Sequence, residues 1–434
     1  MTLGSKRDEK KSSERSVQKI SEFQRTKGPQ RRKGLRILIL FVIVSALCAS
    51  LLYGAKRETR NSGTSSSAKQ TSKPELRSFS QPGNGSTPSF KKIWEGKFIE
   101  EHGPYQLIYT VDPVLQASVE EVLRKYRPPF SAFVALDPKT GRILVLADYS
   151  RESPENGGIW KRATYPAASV FKIITAACAL EKGVLNYDSS VSFRGNQYRL
   201  GPGKINKPSK WDQRTHFDEA LGKSNNVVFG RLASQLGSQT LRQYCEAFGF
   251  NHPLPFDFPL ESSRASIPEE TYELARCGAG FAGVTLNPLH GAMIAASIAN
   301  GGAMMRPYLI EAVRSNEGEA LYQARAEVLG QPISAKTAQD LNRMMRRTVE
   351  DGTASKTFHR YSKDLVQKIS ISGKTGSLSG DNPPGSYDWF VGFAPADDPQ
   401  IAFSAMVINH GGYKLRGVFV AQEALKVFFR DRLN

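Results

Sequence analysis

A serine three residues ahead of a lysine, Ser169 and Lys172, can form an acyl-transfer nucleophile. Residues three apart share one face of a helix, so the amine can reach the hydroxyl. The hydroxyl attacks only when a base removes its proton. A lysine is such a base only when burial or a second cation lowers its pKa. Val170, Phe171, Ile173 and Ile174 supply apolar surroundings. Two more groups follow in fixed order, Ser224-Asn225-Asn226 and Lys374-Thr375-Gly376-Ser377. Lys374 can supply the second positive charge and attract a carboxylate, which the hydroxyls of Thr375 and Ser377 can also bind. Ser224 can pass a proton between Lys172 and a leaving group, and Asn226 can hold a substrate amide. The set describes an activated serine that acylates on a substrate carrying a carboxylate.

The flanking patterns say which copies of these short signals count. The Ser-x-x-Lys spacing recurs at Ser16–Lys19, Ser66–Lys69 and Ser89–Lys92, in polar sequence that cannot desolvate a lysine. Only Ser169 follows a helix-start signal, Tyr165-Pro166-Ala167-Ala168, and leads into the apolar run 173–180. Lys139-Thr140-Gly141 sits between apolar runs 132–136 and 143–147, directly after Asp137-Pro138, and reads as a hairpin turn. Ser224 and Asn226 fall where a helical pattern at 227–236 begins, a place where Ser and Asn also serve as plain caps. A strand over 366–372 is expected to carry Gly373 into the site. Its expected partners are 389–394 and 401–408, with 381–385 as the connecting loop. Gly373 and Gly376 leave room for a substrate backbone along the strand edge. Early and late strands framing a helical middle, from Ser169 to about Arg347, predict an α+β fold. A central antiparallel sheet is flanked by helices, with the site between it and a helical subdomain.

The ordered set resembles that of the penicillin-binding transpeptidase domains, which share it with β-lactamases. The resemblance covers most of the chain from about Tyr109 onward. It includes Thr110-Val111-Asp112-Pro113-Val114-Leu115-Gln116, residues 285–302 and Val349-Glu350-Asp351-Gly352-Thr353-Ala354. It implies a serine acyl-enzyme acting on peptidoglycan stem peptides that end in D-Ala-D-Ala, inhibited by β-lactams. By that resemblance Ser169 is the nucleophile, Lys172 its base and Ser224 the proton relay. Asn226, Lys374, Thr375, Gly376 and Ser377 bind substrate, and the backbone N–H groups of Ser169 and Ser377 form the oxyanion hole. Ser377 stands where the family often has threonine, which keeps the hydroxyl. Neither a glycosyltransferase domain nor a sizeable pedestal is expected, so a membrane glycan polymerase is left open as a partner. No cofactor is implied.

Residues 1–36 form a polar, basic head, followed by the uncharged apolar run 37–55. Nineteen residues rising about 1.5 Å each nearly cross a hydrocarbon layer of roughly 30 Å. The basic cluster before the run places the head in the cytoplasm and the rest outside, on an uncleaved single-pass anchor in a bacterial cytoplasmic membrane. Residues 56–90 are rich in Ser, Thr, Gly and Pro and read as a flexible tether. An entry segment at 91–130 and a transpeptidase domain at 131–434 complete the expected organisation. Much of the formal net charge of +18 lies in the head, as a topology signal requires, and no nucleic-acid motif accompanies it. With Cys48 in the apolar run, Cys178, Cys245 and Cys277 remain, an odd number that does not indicate a disulfide framework. The six histidines have no ligand-like spacing, so a zinc peptidase is not expected.

A D,D-transpeptidase is the leading expectation. The alternatives on the same acyl-enzyme are a D,D-carboxypeptidase and a β-lactamase, the latter needing a glutamate-held water that no motif identifies. A non-enzymatic β-lactam sensor would need a cytoplasmic output domain larger than residues 1–36.

Overall fold

The computed structural model describes residues 88, 90–154, 157–205, 208–412 and 414–433. The expected head, membrane span and most of the tether lie outside them. Among the described residues no helix is long and apolar enough to cross a membrane.

Strands β1 (Lys92–Trp94), β2 (Lys97–His102) and β3 (Tyr105–Tyr109) form a meander, followed by β4 (Phe130–Leu136) and β5 (Ile143–Ser150). Later come β6 (Ile310–Ser315), β7 (Ala320–Gln323), β8 (Ser372–Asp381), β9 (Pro384–Ala394) and β10 (Ile401–Asn409). The main sheet is antiparallel, in the order β8-β9-β10-β4-β5. A second antiparallel sheet, β1-β2-β3-β6-β7, was not expected from the sequence. It joins the entry segment to a stretch some 200 residues later, a pairing that local pattern cannot reveal.

Period-two alternation divides the main sheet between two cores. Phe130, Ala132, Val134 and Leu136 join one, while Phe133 and Ala135 join the other. Trp389, Val391 and Phe393 likewise oppose Phe390 and Ala394. Against the second core pack helices α1 (Pro113–Tyr126), through Leu115, Val119 and Leu123, and α7 (Gly417–Phe428), through Val418, Ala421 and Leu425. Asp112 caps α1 by accepting from the N–H groups of Val114 and Leu115, with Pro113 in the first turn.

The opposite face carries the helical half. Helices α2 (Lys172–Glu181), α3 (Asn226–Leu236) and α4 (Thr271–Gly278) precede α5 (Pro288–Ala299) and α6 (Ala335–Glu350). Almost every residue of α5 is buried, as its apolar circumference requires. Gly291 lets α5 lie against the sheet, since a Cβ there would stand 2.8 Å from Ser404 Oγ.

One expected strand is displaced. Residues 366–372 do not form it: Lys363–Lys368 is a short helix, and β8 starts at Ser372. The expected connecting loop, 381–385, is shorter than predicted: Asp381, Pro384 and Gly385 continue the strands, and Asn382-Pro383 forms the tight turn.

Candidate active site

Ser169 lies in a 3-10 turn, Ala168–Phe171, that runs directly into α2. Ala168 has φ of 48°, a left-handed conformation that a residue with a Cβ adopts only under constraint. The constraint comes from both sides. Ala167 N–H donates to Val284 O at 3.1 Å, and Leu286 N–H donates to Tyr165 O at 2.7 Å. Below, the loop after α4 passes at Gly280, where φ is 88° and a Cβ would meet Ala168 O at 2.1 Å.

Lys172 is fully buried in the first turn of α2. Its Nζ lies 2.6 Å from Ser169 Oγ, 2.7 Å from Asn226 Oδ1 and 2.7 Å from Ala279 O. Burial, and next the nearby cation of Lys374, hold its pKa well below the ordinary lysine value. A neutral amine has two N–H groups and one lone pair. In the neutral form that burial favours, Asn226 Oδ1 and Ala279 O would take both donors and leave the lone pair for the Ser169 hydroxyl. That is the geometry of a base beside its nucleophile.

The second group resolves the question of caps. The residue capping α3 is Asn225, whose side chain accepts from the N–H groups of Val227 and Val228. Its neighbours are thereby free for the site. Ser224, at φ of 57°, turns its hydroxyl to Lys374 Nζ at 3.0 Å rather than serving as a cap. Asn226 orients Lys172 and donates to Tyr198 O at 2.8 Å.

The third group lies on β8. Lys374 is fully buried, with Nζ 2.9 Å from Thr375 O, and burial lowers its pKa to about 7. Gly376 crosses the nucleophile turn so closely that a Cβ would stand 3.1 Å from Val170 Cγ2 and 3.3 Å from Ala167 O. Ser377 Oγ lies 3.4 Å from the buried Asp388, which Arg416 pairs at 2.9 Å and Gly417 N–H contacts at 2.8 Å. Burial raises the Asp388 pKa, and Arg416 opposes that shift. Trp389 anchors the next strand through Nε1 to Pro166 O at 3.0 Å.

The structure thus gathers all the residues singled out from sequence around one cleft of about 780 Å³. Ser169, Ser224, Asn226, Thr375 and Ser377 line it, with both buried lysines beneath. Sequence reasoning gave no role to Ala279, Tyr198, Thr353, Asp388 or Arg416. Thr353 links the third group to the chain two residues before the second: its N–H donates to Gly222 O at 3.1 Å and its hydroxyl lies 2.5 Å from Thr375 Oγ1. The usable signal was Asp388, a lone acid at the head of an apolar strand. Ala279 carries no signal, because only its carbonyl acts. Among the described residues no cluster of His, Cys, Asp or Glu is placed to hold a metal ion.

The family model of the penicillin binding protein transpeptidase domain matches residues 131–427. The chain belongs to that family. Among curated proteins it is similar to the peptidoglycan D,D-transpeptidase PbpA of Mycobacterium tuberculosis, 28% identical over 337 residues. That alignment covers 69% of this chain and 66% of the relative. Stage V sporulation protein D of Bacillus subtilis is 28% identical over 355 residues, covering 75% of this chain and 53% of that protein. The chain therefore spans less than two thirds of either relative's length. Among solved structures, the D,D-transpeptidase domain of a peptidoglycan glycosyltransferase from Eggerthella lenta superposes with a TM-score of 0.62 at 26% identity. That likeness covers 75% of this chain and 83% of the other. Penicillin-binding protein A from M. tuberculosis, as an imipenem acyl-enzyme, gives 0.61 at 26% identity, covering 76% and 80%. As a member of the penicillin-binding transpeptidase family, the chain has that family's α+β architecture of antiparallel sheets flanked by helices.

Proposed function

We propose that this protein is a peptidoglycan D,D-transpeptidase that cross-links stem peptides through an acyl-enzyme on Ser169 and is inhibited covalently by β-lactams. The observation that carries the reading is the buried Lys172 amine, 2.6 Å from the Ser169 hydroxyl and with its pKa held well below the ordinary lysine value by burial and by Lys374. Lys172 takes the proton as Ser169 Oγ attacks the carbonyl carbon of the penultimate D-alanine. The oxyanion forms against the backbone N–H groups of Ser169 and Ser377. Lys374, Thr375 and Ser377 hold the terminal carboxylate, with Gly376 giving the peptide room along β8. The proton that Lys172 took passes through the Ser224 hydroxyl, itself bonded to Lys374, to the departing amine, which leaves Lys172 neutral again. Asn226 keeps the base in place and contacts the substrate amide. The names of the relatives support the same assignment.

Slow hydrolysis is expected, which favours transpeptidation over β-lactamase activity. The one carboxylate lining the cleft among the described residues, Asp351, is bound by Arg347 at 3.0 and 2.6 Å. The proposal includes a single membrane anchor over residues 37–55, with residues 1–36 cytoplasmic and the catalytic domain outside. It rests on the uncharged apolar run and the basic residues before it. A membrane glycan polymerase would be the natural partner of such an enzyme.

Labelling with a fluorescent penicillin, followed over time in the parent and in Ser169→Ala, tests the assignment. Stable label lost in the variant is expected. Label that decays within seconds would indicate a β-lactamase, and a folded parent that takes none would overturn the catalytic reading.

A further inference from the structure

Beside the cleft lies a second hollow of about 370 Å³, and Lys356 and Arg416 line both. Its floor is aromatic. Phe419 is met edge-on by Tyr126 at 5.3 Å and by Tyr361 at 5.9 Å. Its rim is basic, carrying Lys356, Arg360, Lys414 and Arg416, and no carboxylate among the described residues lines it. The position relative to the chemistry is defined by bonds. Arg416 pairs with Asp388, which receives the Ser377 hydroxyl. Lys356 follows the loop whose Thr353 touches Thr375. The hollow therefore opens beside Thr375 and Ser377, whose hydroxyls the transpeptidase reading assigns to the carboxylate of the departing residue.

We propose that this hollow receives the acceptor peptide, and that it selects an acceptor bearing a carboxylate remote from its attacking amine, further out than the one on the amine's own carbon. The proposal rests on the transpeptidase reading. By microscopic reversibility the amine that replaces the leaving group approaches along the path of departure. The acceptor nitrogen bonds to the acyl carbon as the bond from that carbon to Ser169 Oγ breaks. The amine's proton passes to Lys172 and from there to the serine oxygen. The rest of the acceptor then extends over Phe419, where the rim cations attract its carboxylate and the aromatic faces pack its carbon chain. An anionic wall polymer or the distal part of the donor strand would be the competing occupants.

The test uses the full chain and a thioester donor, N-benzoyl-D-alanyl thioglycolate, with D-glutamate or D-glutamine as acceptor. These acceptors have nearly the same shape and differ in one charge. The ratio of amide product to hydrolysis product is read for each. A preference for D-glutamate of roughly fivefold is expected, the scale of one partly exposed ion pair. It should vanish or invert in Lys356→Glu and in Lys414→Glu. The ratio is internal to each variant, so partial loss of activity does not obscure it, and Lys414→Gln supplies a milder change if a reversal fails to fold. Equal use of both acceptors, a preference indifferent to these substitutions, or hydrolysis alone would overturn the proposal. Penicillin labelling of the same preparation separates the outcomes: a labelled protein without acceptor preference loses only this inference, whereas an unlabelled one loses the transpeptidase reading as well.

Discussion

The tripeptide Lys-Thr-Gly occurs at residues 139–141 and again at 374–376, and the two copies differ in almost every physical respect. The first turns the hairpin between β4 and β5, with Asp137 N–H donating to Arg142 O at 2.9 Å. There Lys139 is exposed and pairs with Asp398 at 2.9 Å, which raises its pKa. The second lies within β8, where Lys374 is sealed from water and its pKa falls to about 7. Gly141 is needed both for its φ of 80° and because a Cβ would stand 2.1 Å from Arg306 O, whereas Gly376 is needed only for close passage over the Ser169 turn. The contrast teaches that an ammonium group becomes chemically useful through the solvent it loses, and no tripeptide encodes that loss.

The largest expected effect breaks the comparison at the lysines. Lys374→Met should lower the second-order rate of benzylpenicillin acylation by roughly 100-fold or more, the scale of losing one charged contact in a dry site. Lys139→Met should leave that rate within about twofold, so equal losses measured by stopped flow would sink the distinction drawn between the copies.

The pH profile sharpens it further. As pH falls through the depressed pKa of Lys172, its amine gains a proton and can no longer accept one from Ser169, so acylation slows. As pH rises through about 7, Lys374 loses its charge and the carboxylate is held less well. A bell-shaped profile results for the free enzyme, with each limb approaching tenfold per pH unit. Lys374→Arg, which stays charged, should remove the alkaline limb, and a limb that persists would require another titrating group.

The glycines should dissociate stability from activity. Ala at 141 would place a Cβ 2.1 Å from Arg306 O in a left-handed backbone, so Gly141→Ala should lower Tm by roughly 5–10 °C with acylation retained. Gly376→Ala displaces β8 by a few tenths of an ångström from Val170 and Ala167. It should cost about tenfold in acylation with little change in Tm. The smallest effect is Lys139→Ala, which removes an exposed ion pair and should leave Tm within about 1 °C.

Much of this site was legible because its residues sit in short local patterns. Ser169 and Lys172 were paired by helical spacing, and Lys374-Thr375-Gly376-Ser377 was marked by composition on a strand edge. The boundaries were less legible. Lys363–Lys368 is helical although its apolar residues suited a strand, because Leu365 is buried in the second core and that burial outweighs propensity. The cap of α3 falls on Asn225, between the two residues the pattern offered, since Ser224, Asn225 and Asn226 are all good caps and the neighbours decide among them.

By itself the sequence determined the chemical inventory: which hydroxyl, which two amines and which strand edge could serve acyl transfer. It also determined the continuous apolar runs, such as 132–136 and 143–147, that must build a sheet buried on both faces. Tertiary structure alone decided the states of those groups. The Ala279 carbonyl and Asn226 accept from Lys172, β8 brings Lys374 close enough to disfavour its charge, and Thr353 ties the third group to the chain two residues before the second. The reason is physical. Desolvation and orientation depend on what surrounds an atom in space, and here those surroundings come from segments up to 150 residues away along the chain.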